Sequence, residues 1–265
     1  MNGYFYRGIK RGVVMKKTIL VGIAFIATLA AATAVVASDT EVSLGLTLWT
    51  STWKETVKQS GGIRRDFDNG MELMSGPTLS VRFSKNWFAG ITYLTAFGDY
   101  ESSDWLARGD KMKFERTDVD LLAGYLLHDP LNDLKIGFFV RYKTIDAPAF
   151  YTNEAASLNN VDVGTWKLKG PGLGVLVEKP LDGSTLLYGN VSYLLLQQEF
   201  AFSSSGPSRF DTDGWVLEVA LAHAFTKAIS ANVGINFQRF SGEKDNGDHI
   251  TDSFSGLTAG IAYTF

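Results

Sequence analysis

GLTAGIAYTF, residues 256–265, ends the chain and alternates without a break: Leu257, Ala259, Ile261, Tyr263 and Phe265 share one side, and Gly256, Thr258, Gly260, Ala262 and Thr264 the other. Neighbouring residues of a strand point to opposite faces, so an extended segment here has one apolar face and one face of small or hydroxylated residues. Neither face carries a charge.

Working back from this strand, the period of two recurs in segments of about ten residues, as half-buried strands require. Ten segments fit, near 41–54, 75–84, 87–99, 112–127, 134–146, 163–178, 185–199, 213–226, 229–241 and 252–265. The intervals between them alternate in length. Short ones fall at Lys85–Asn86, His128–Asp133, Lys179–Ser184 and Lys227–Ala228, and long ones at 55–74, 100–111, 147–162, 200–212 and 242–251. Tight turns at one end, long loops at the other and an even strand count describe an all-β, membrane-spanning antiparallel up-and-down β-barrel. Ten strands fit best. Eight or twelve would follow from modest shifts in the boundaries.

The sidedness of the strands points to a membrane. Trp87, Ala89, Ile91, Tyr93 and Phe97 oppose Gly90, Thr92, Ala96 and Gly98, while Leu134, Ile136, Phe138, Val140 and Tyr142 oppose Lys135, Gly137, Arg141 and Lys143. A charge facing lipid at the bilayer midplane costs about 2–4 kcal/mol, and the apolar faces have none there. A soluble barrel would put its apolar side chains inside. Tyr125, Tyr142, Tyr193, Tyr263, Trp87 and Trp215 are placed for an interfacial aromatic girdle. Gly170-Pro171-Gly172 interrupts the sixth strand, where proline removes a ladder donor, and predicts a bulge or kink. Lys167 and Lys169 would face outward near the outer rim.

From Met15 the sequence reads MKKTILVGIAFIATLAAATAVVASDT, two lysines followed by an apolar run and small residues. That is the pattern of a cleavable signal peptide, with Val35 and Ala37 suited to precede a cut before Ser38. Residues 1–37 are therefore expected to be an N-terminal extension plus signal peptide, with Met15 as the true start, and 38–265 the barrel domain. The first 37 residues hold five basic and no acidic side chains, so 20 basic against 28 acidic remain. Such an acidic balance argues against a nucleic-acid partner, which would need a basic surface. Cysteine is absent, which excludes disulfides and thiolate chemistry.

Taken together, the export segment, the strand pattern and the terminal GLTAGIAYTF resemble the outer-membrane β-barrel proteins of Gram-negative bacteria over essentially the whole mature chain. The resemblance implies residence in the outer membrane among its lipid and lipopolysaccharide. It also implies an assembly signal, formed by Leu257, Ile261, Tyr263 and Phe265, for the barrel-assembly machinery.

Inside the expected barrel, residues whose numbers sum near 261 should face each other across strands four and five, setting Asp118 against Lys143 and Asp120 against Arg141. Arg116, Arg82 and Glu218 also point inward. Such a network would plug a narrow lumen, since buried charges persist chiefly when paired. A non-catalytic barrel with a plugged, charged lumen is the principal expectation, with an extracellular ligand met by aromatic residues in or beside the loops: Trp53, Trp105, Phe150, Tyr151 and Phe202. A narrow porin-like channel for small solutes is the second reading. An outer-membrane hydrolase, either a protease or a lipid A-modifying enzyme, is the third and would need a histidine at the outer rim, where His249 alone qualifies. An acid/base pair of Asp118 and Asp120 is weaker, because apposed cations favour the charged form. Asp211-Thr-Asp213-Gly and Asp245-Asn-Gly-Asp248 offer oxygen ligands but lack a full calcium-loop pattern, so neither metal nor cofactor is expected.

Overall fold

The computed structural model describes residues 40–83, 86–100, 112–129, 133–152, 161–202 and 205–265; the expected export segment lies outside them. Ten strands follow one another: β1 (Thr40–Lys58), β2 (Arg64–Phe83), β3 (Trp87–Tyr100), β4 (Met112–Asp129), β5 (Leu134–Thr152), β6 (Val161–Pro180), β7 (Thr185–Phe202), β8 (Ser205–Ala224), β9 (Ile229–Glu243) and β10 (His249–Thr264). Each pairs with its chain neighbours, and β10 pairs antiparallel with β1, closing the barrel. All ten expected strands are present, with the short turns where the alternation lapses.

The strands are longer than expected. β2 begins at Arg64 and β8 at Ser205, so most of the segments read as loops 55–74 and 200–212 are strand. The reason lies in which face is apolar. In the lower half, toward the chain termini, side chains facing out are apolar: Leu173, Val175 and Val177 on β6, Val191, Tyr193 and Leu195 on β7, Leu257, Ile261 and Tyr263 on β10. On β7 this band runs from Leu187 to Leu195, roughly 20 Å of height at a rise of about 3.3 Å per residue and a tilt near 40°. Above it the pattern inverts. Lys167, Lys169, Gln197, Glu199, Arg209, Asp211 and Asp213 face out, while Trp166, Leu168, Leu194, Leu196, Phe200, Phe210 and Val216 face in. The lower half is thus built for lipid, and the upper half is built like a soluble barrel around its own hydrophobic core.

That core joins Trp49, Trp166, Ile145, Leu168, Phe240 and Phe254, all nearly inaccessible, with Trp53 packed against it. Trp53 stacks on Trp166 with centroids 5.4 Å apart and on Phe254 at 5.8 Å. It is an interior residue rather than the loop contact expected. Trp105 lies outside the described residues, as do the side chains of Phe150, Tyr151 and Phe202.

The inversion on β6 falls at Gly170-Pro171-Gly172, and no bulge accompanies it. The β5 register runs straight through from Lys143↔Gly170 to Arg141↔Gly172, and Lys169↔Gln197 and Gly172↔Leu194 share one offset with β7. Only the β7 pairs of Gly170 and Pro171 are missing, so the absent proline donor costs the ladder locally without shifting it. Gly170 permits this tight packing: a Cβ there would lie 2.1 Å from the Leu195 carbonyl oxygen. The girdle aromatics Trp87, Tyr142, Tyr193, Trp215 and Tyr263 are exposed on the outer wall. Tyr142, Tyr193 and Trp215 mark the top of the apolar band at mid-strand, because the strands continue above it.

Candidate functional site: the charged lumen

The interior of the lower half is polar, and its centre is the β4–β5 hairpin. Its observed register sums to 263, with Asp120 opposite Lys143 and Leu122 opposite Arg141. The expected register was two residues short because strand pairing extends to Asp129↔Leu134, leaving a tighter turn. The ion pairs themselves are those expected, made diagonally. Lys143 Nζ donates to Asp118 Oδ1 at 2.8 Å and lies 3.6 Å from Asp120 Oδ2, while Arg141 Nε lies 3.0 Å from Asp120 Oδ1. Diagonal neighbours remain within reach of side chains this long.

From this hairpin the network crosses the barrel. Arg141 donates through Nη1 to Ser192 Oγ at 2.6 Å and through Nη2 to Asn190 Oδ1 at 3.4 Å, and Asn190 Nδ2 donates to Glu218 Oε2 at 3.2 Å. Four strands, β4, β5, β7 and β8, are tied by this chain. Below it Arg82 of β2 donates to Glu178 of β6, a link between walls four strands apart. Above it Arg116 of β4 is wholly buried and lies 3.3 Å from Asp118 Oδ2 and 3.8 Å from Glu72. Its guanidinium also donates to Ser51 Oγ of β1 at 3.2 Å and sits 4.2 Å from the Phe254 ring centroid, a desolvated cation–π contact. Arg82, Arg116, Asp118, Asp120, Arg141, Lys143 and Glu218 therefore all face inward, but they form three levels rather than one cluster.

Glu55, Glu72, Glu178 and Asp252 belong to the interior and were not anticipated. Asp252 accepts from Trp53 Nε1 at 2.9 Å and from Gln198 Nε2 at 3.0 Å. Glu55 and Glu72 fell in a segment read as loop, and Glu178 and Asp252 lie at strand ends beyond the uncharged middle. The interior parity of each strand, carried to both of its ends, would have found all four.

The histidines are scattered. His249 is on the outer face with Nε2 3.4 Å from Glu243, and His223 Nδ1 lies 3.1 Å from Thr185 Oγ1 at the lower end. His128 is exposed at the foot of β4. None contacts the interior carboxylates. Of the oxygen-rich loops, Asp248 accepts the Ser60 and Asn246 donors, and Asp213 accepts from Tyr193. No cluster of three or more metal-type ligands occurs among the described residues.

No protein-family model matches the sequence, and no curated protein matches it. Solved structures do match in fold. The outer membrane protease OmpT from Escherichia coli aligns with a TM-score of 0.50 at 15% identity, over 86% of this chain and 97% of that one. Neisserial surface protein A aligns at 0.39 and 13% identity over 85% and 97%, and the Pseudomonas putida toluene transporter TodX at 0.37 and 10% over 86% and 90%. With ten strands, a closed up-and-down topology and an apolar outer band, the chain folds as an outer-membrane β-barrel of the Gram-negative type.

Proposed function

We infer that the protein is an outer-membrane resident that does not conduct, and that it acts by binding at its extracellular end. One observation carries this reading: among the described residues, side-chain links cross the interior at several levels. The Arg82–Glu178 link, the Asp120–Arg141–Asn190–Glu218 chain and the Arg116 contacts to β1 and β10 span the lower and middle lumen. Above them the Trp53–Trp166–Phe254 stack fills the upper half. A conducting pore needs a continuous path lined by solvated groups. Struts that join opposite walls interrupt such a path, which supports the closed reading.

Export through the segment ahead of Ser38, and recognition of Leu257, Ile261, Tyr263 and Phe265 by the assembly machinery, belong to the same proposal. So does contact of Lys167 and Lys169 with lipopolysaccharide, since both are exposed just above the apolar band. Single-channel recording in planar bilayers tests the closed lumen. A silent trace is expected for the native protein, and also when Arg141 and Arg82 are both truncated to alanine, because the aromatic stack above them still closes the path. Steady conductance of the native protein, altered by Asp120→Asn, would support the channel reading instead.

A further inference from the structure

Above the apolar band the outer wall differs from one side of the barrel to the other. On the β5–β8 side, Lys167 lies 3.1 Å from Asp146 and Arg209 lies 2.6 Å from Glu199. On β9, Arg239 is exposed and, among the described residues, makes no ion pair or hydrogen bond. The outward acid on the adjoining strand, Asp213 of β8, stands diagonally from Arg239 and accepts from Tyr193 on its other side.

Arg239 belongs to a row that runs across three strands. Ser253 of β10 is opposite Arg239 on one side and opposite Lys54 of β1 on the other, and all three side chains are on the outer face. Directly opposed residues have Cβ atoms roughly 5 Å apart, so the two cations flank Ser253 at a separation of about 10 Å. Their neighbours on this face are hydroxyls. Thr52 and Ser255 form the row below, and Ser241 and Thr251 the row above, hydrogen-bonded to each other at 3.0 Å. Trp215 stands on the far side of Arg239 in the same row. Beneath come Phe237, Leu257 and Leu48, exposed members of the lipid-facing band.

Hydrocarbon contacts below, with two cations and hydroxyl donors directly above them, suit a lipid whose headgroup carries phosphate. A guanidinium takes phosphate oxygens through paired N–H groups, and an ammonium meets them as a point charge. Lys169 has no such setting, because its row continues through Gln197 to Asp211. We propose that Arg239, Lys54 and Ser253 hold the phosphate of one outer-leaflet lipid, whose acyl chains lie along Phe237 and Leu257. The proposal rests on the membrane placement given above and adds to it one fixed lipid, apart from any contact at Lys167 and Lys169.

The test is native mass spectrometry of the full-length protein released from an uncharged detergent, titrated with a phosphatidic acid. One saturable adduct is expected. Arg239→Gln weakens it roughly tenfold, as loss of a charge-assisted contact implies, Arg239→Lys retains part of it, and Arg209→Gln leaves it unchanged. Heat-modifiable migration checks that each variant folds. Unchanged binding by the double variant Arg239→Gln/Lys54→Gln would overturn the site. Equal occupancy by a diacylglycerol, which has the chains without the phosphate, would overturn the role of the headgroup, and displacement by inorganic phosphate at equal concentration would overturn that of the chains. Each of these results would leave heat-modifiable migration and the silent bilayer trace as they were, so the site can fail without the membrane reading failing with it.

Discussion

Replacing Trp166 tests whether the upper barrel really holds a hydrophobic core. Its side chain is fully inaccessible and stacks on Trp53, with Phe254 at 6.1 Å. Truncating a core tryptophan to alanine costs about 3–5 kcal/mol, combining lost transfer energy with the cavity left behind. For a urea dependence near 2 kcal/mol per molar, the unfolding midpoint falls by about 2 M. The indole Nε1 is buried without a hydrogen-bond partner. Leaving such a donor unpaired costs about 1–3 kcal/mol, so Trp166→Phe keeps most of the stacking while removing that penalty, and its midpoint moves by less than about 0.5 M. The assay is urea titration of protein folded into phosphatidylcholine vesicles, followed by the fluorescence of the five remaining tryptophans. A water-filled lumen predicts small shifts for both variants. If Trp166→Ala moved the midpoint by less than about 0.5 M, the inverted upper half would be wrong.

Three further outcomes follow. Lys143→Met leaves the buried Asp118 without its 2.8 Å donor and costs about 3–5 kcal/mol, read in the same titration; the double variant Lys143→Met/Asp118→Leu should recover part of that loss. On the outer face of β6, Val175→Lys, opposite Val191 at mid-band, costs about 2–4 kcal/mol, whereas Thr165→Lys above the band changes stability by well under 1 kcal/mol. In the β6–β7 turn, the Ser184 and Thr185 amides donate to Asp182 Oδ1 at 2.8 and 2.7 Å, and the hydrogen bond from the Ser184 backbone leads in pulling that carboxyl down to about 2. A depressed carboxyl stabilises the turn above its ordinary value of 3.8 and stops doing so as pH falls through about 2. Hydrogen exchange at Ser184 and Thr185 should therefore lose protection between those values, and Asp182→Asn should flatten the dependence.

The ten strands are legible in the sequence because lipid forces an uncharged face on each of them. The reading stops where that force stops. On β6 the apolar residues sit at odd positions from Leu173 to Val177, but at even positions at Trp166 and Leu168. A reader following one parity sees the strand end near Pro171, although it continues with its faces exchanged. The same exchange hid Glu55 and Glu72 within a supposed loop and left Trp53, at the end of the strand before it, read as an outward contact. The pairs Asp118–Lys143 and Asp120–Arg141 were legible despite a register two residues out, because a shift of two preserves the face and long side chains tolerate the diagonal. The links across the lumen, Arg82–Glu178 and Arg116–Phe254, could not be read that way. They join strands that are far apart around the wall, and no local spacing encodes barrel closure.

The exchange of faces at the top of the apolar band also works as a waterline. Lys167, Lys169, Gln197 and Glu199 form a hydrophilic collar above Leu173, Tyr193 and Leu195, so sinking the protein deeper would drag charges into hydrocarbon and raising it would bare the apolar ring. Its draught is thereby set by two adjacent rows of side chains. Among the described residues the part standing above that line is continuous strand wall, so what binds to that wall is presented at a set height above the lipid.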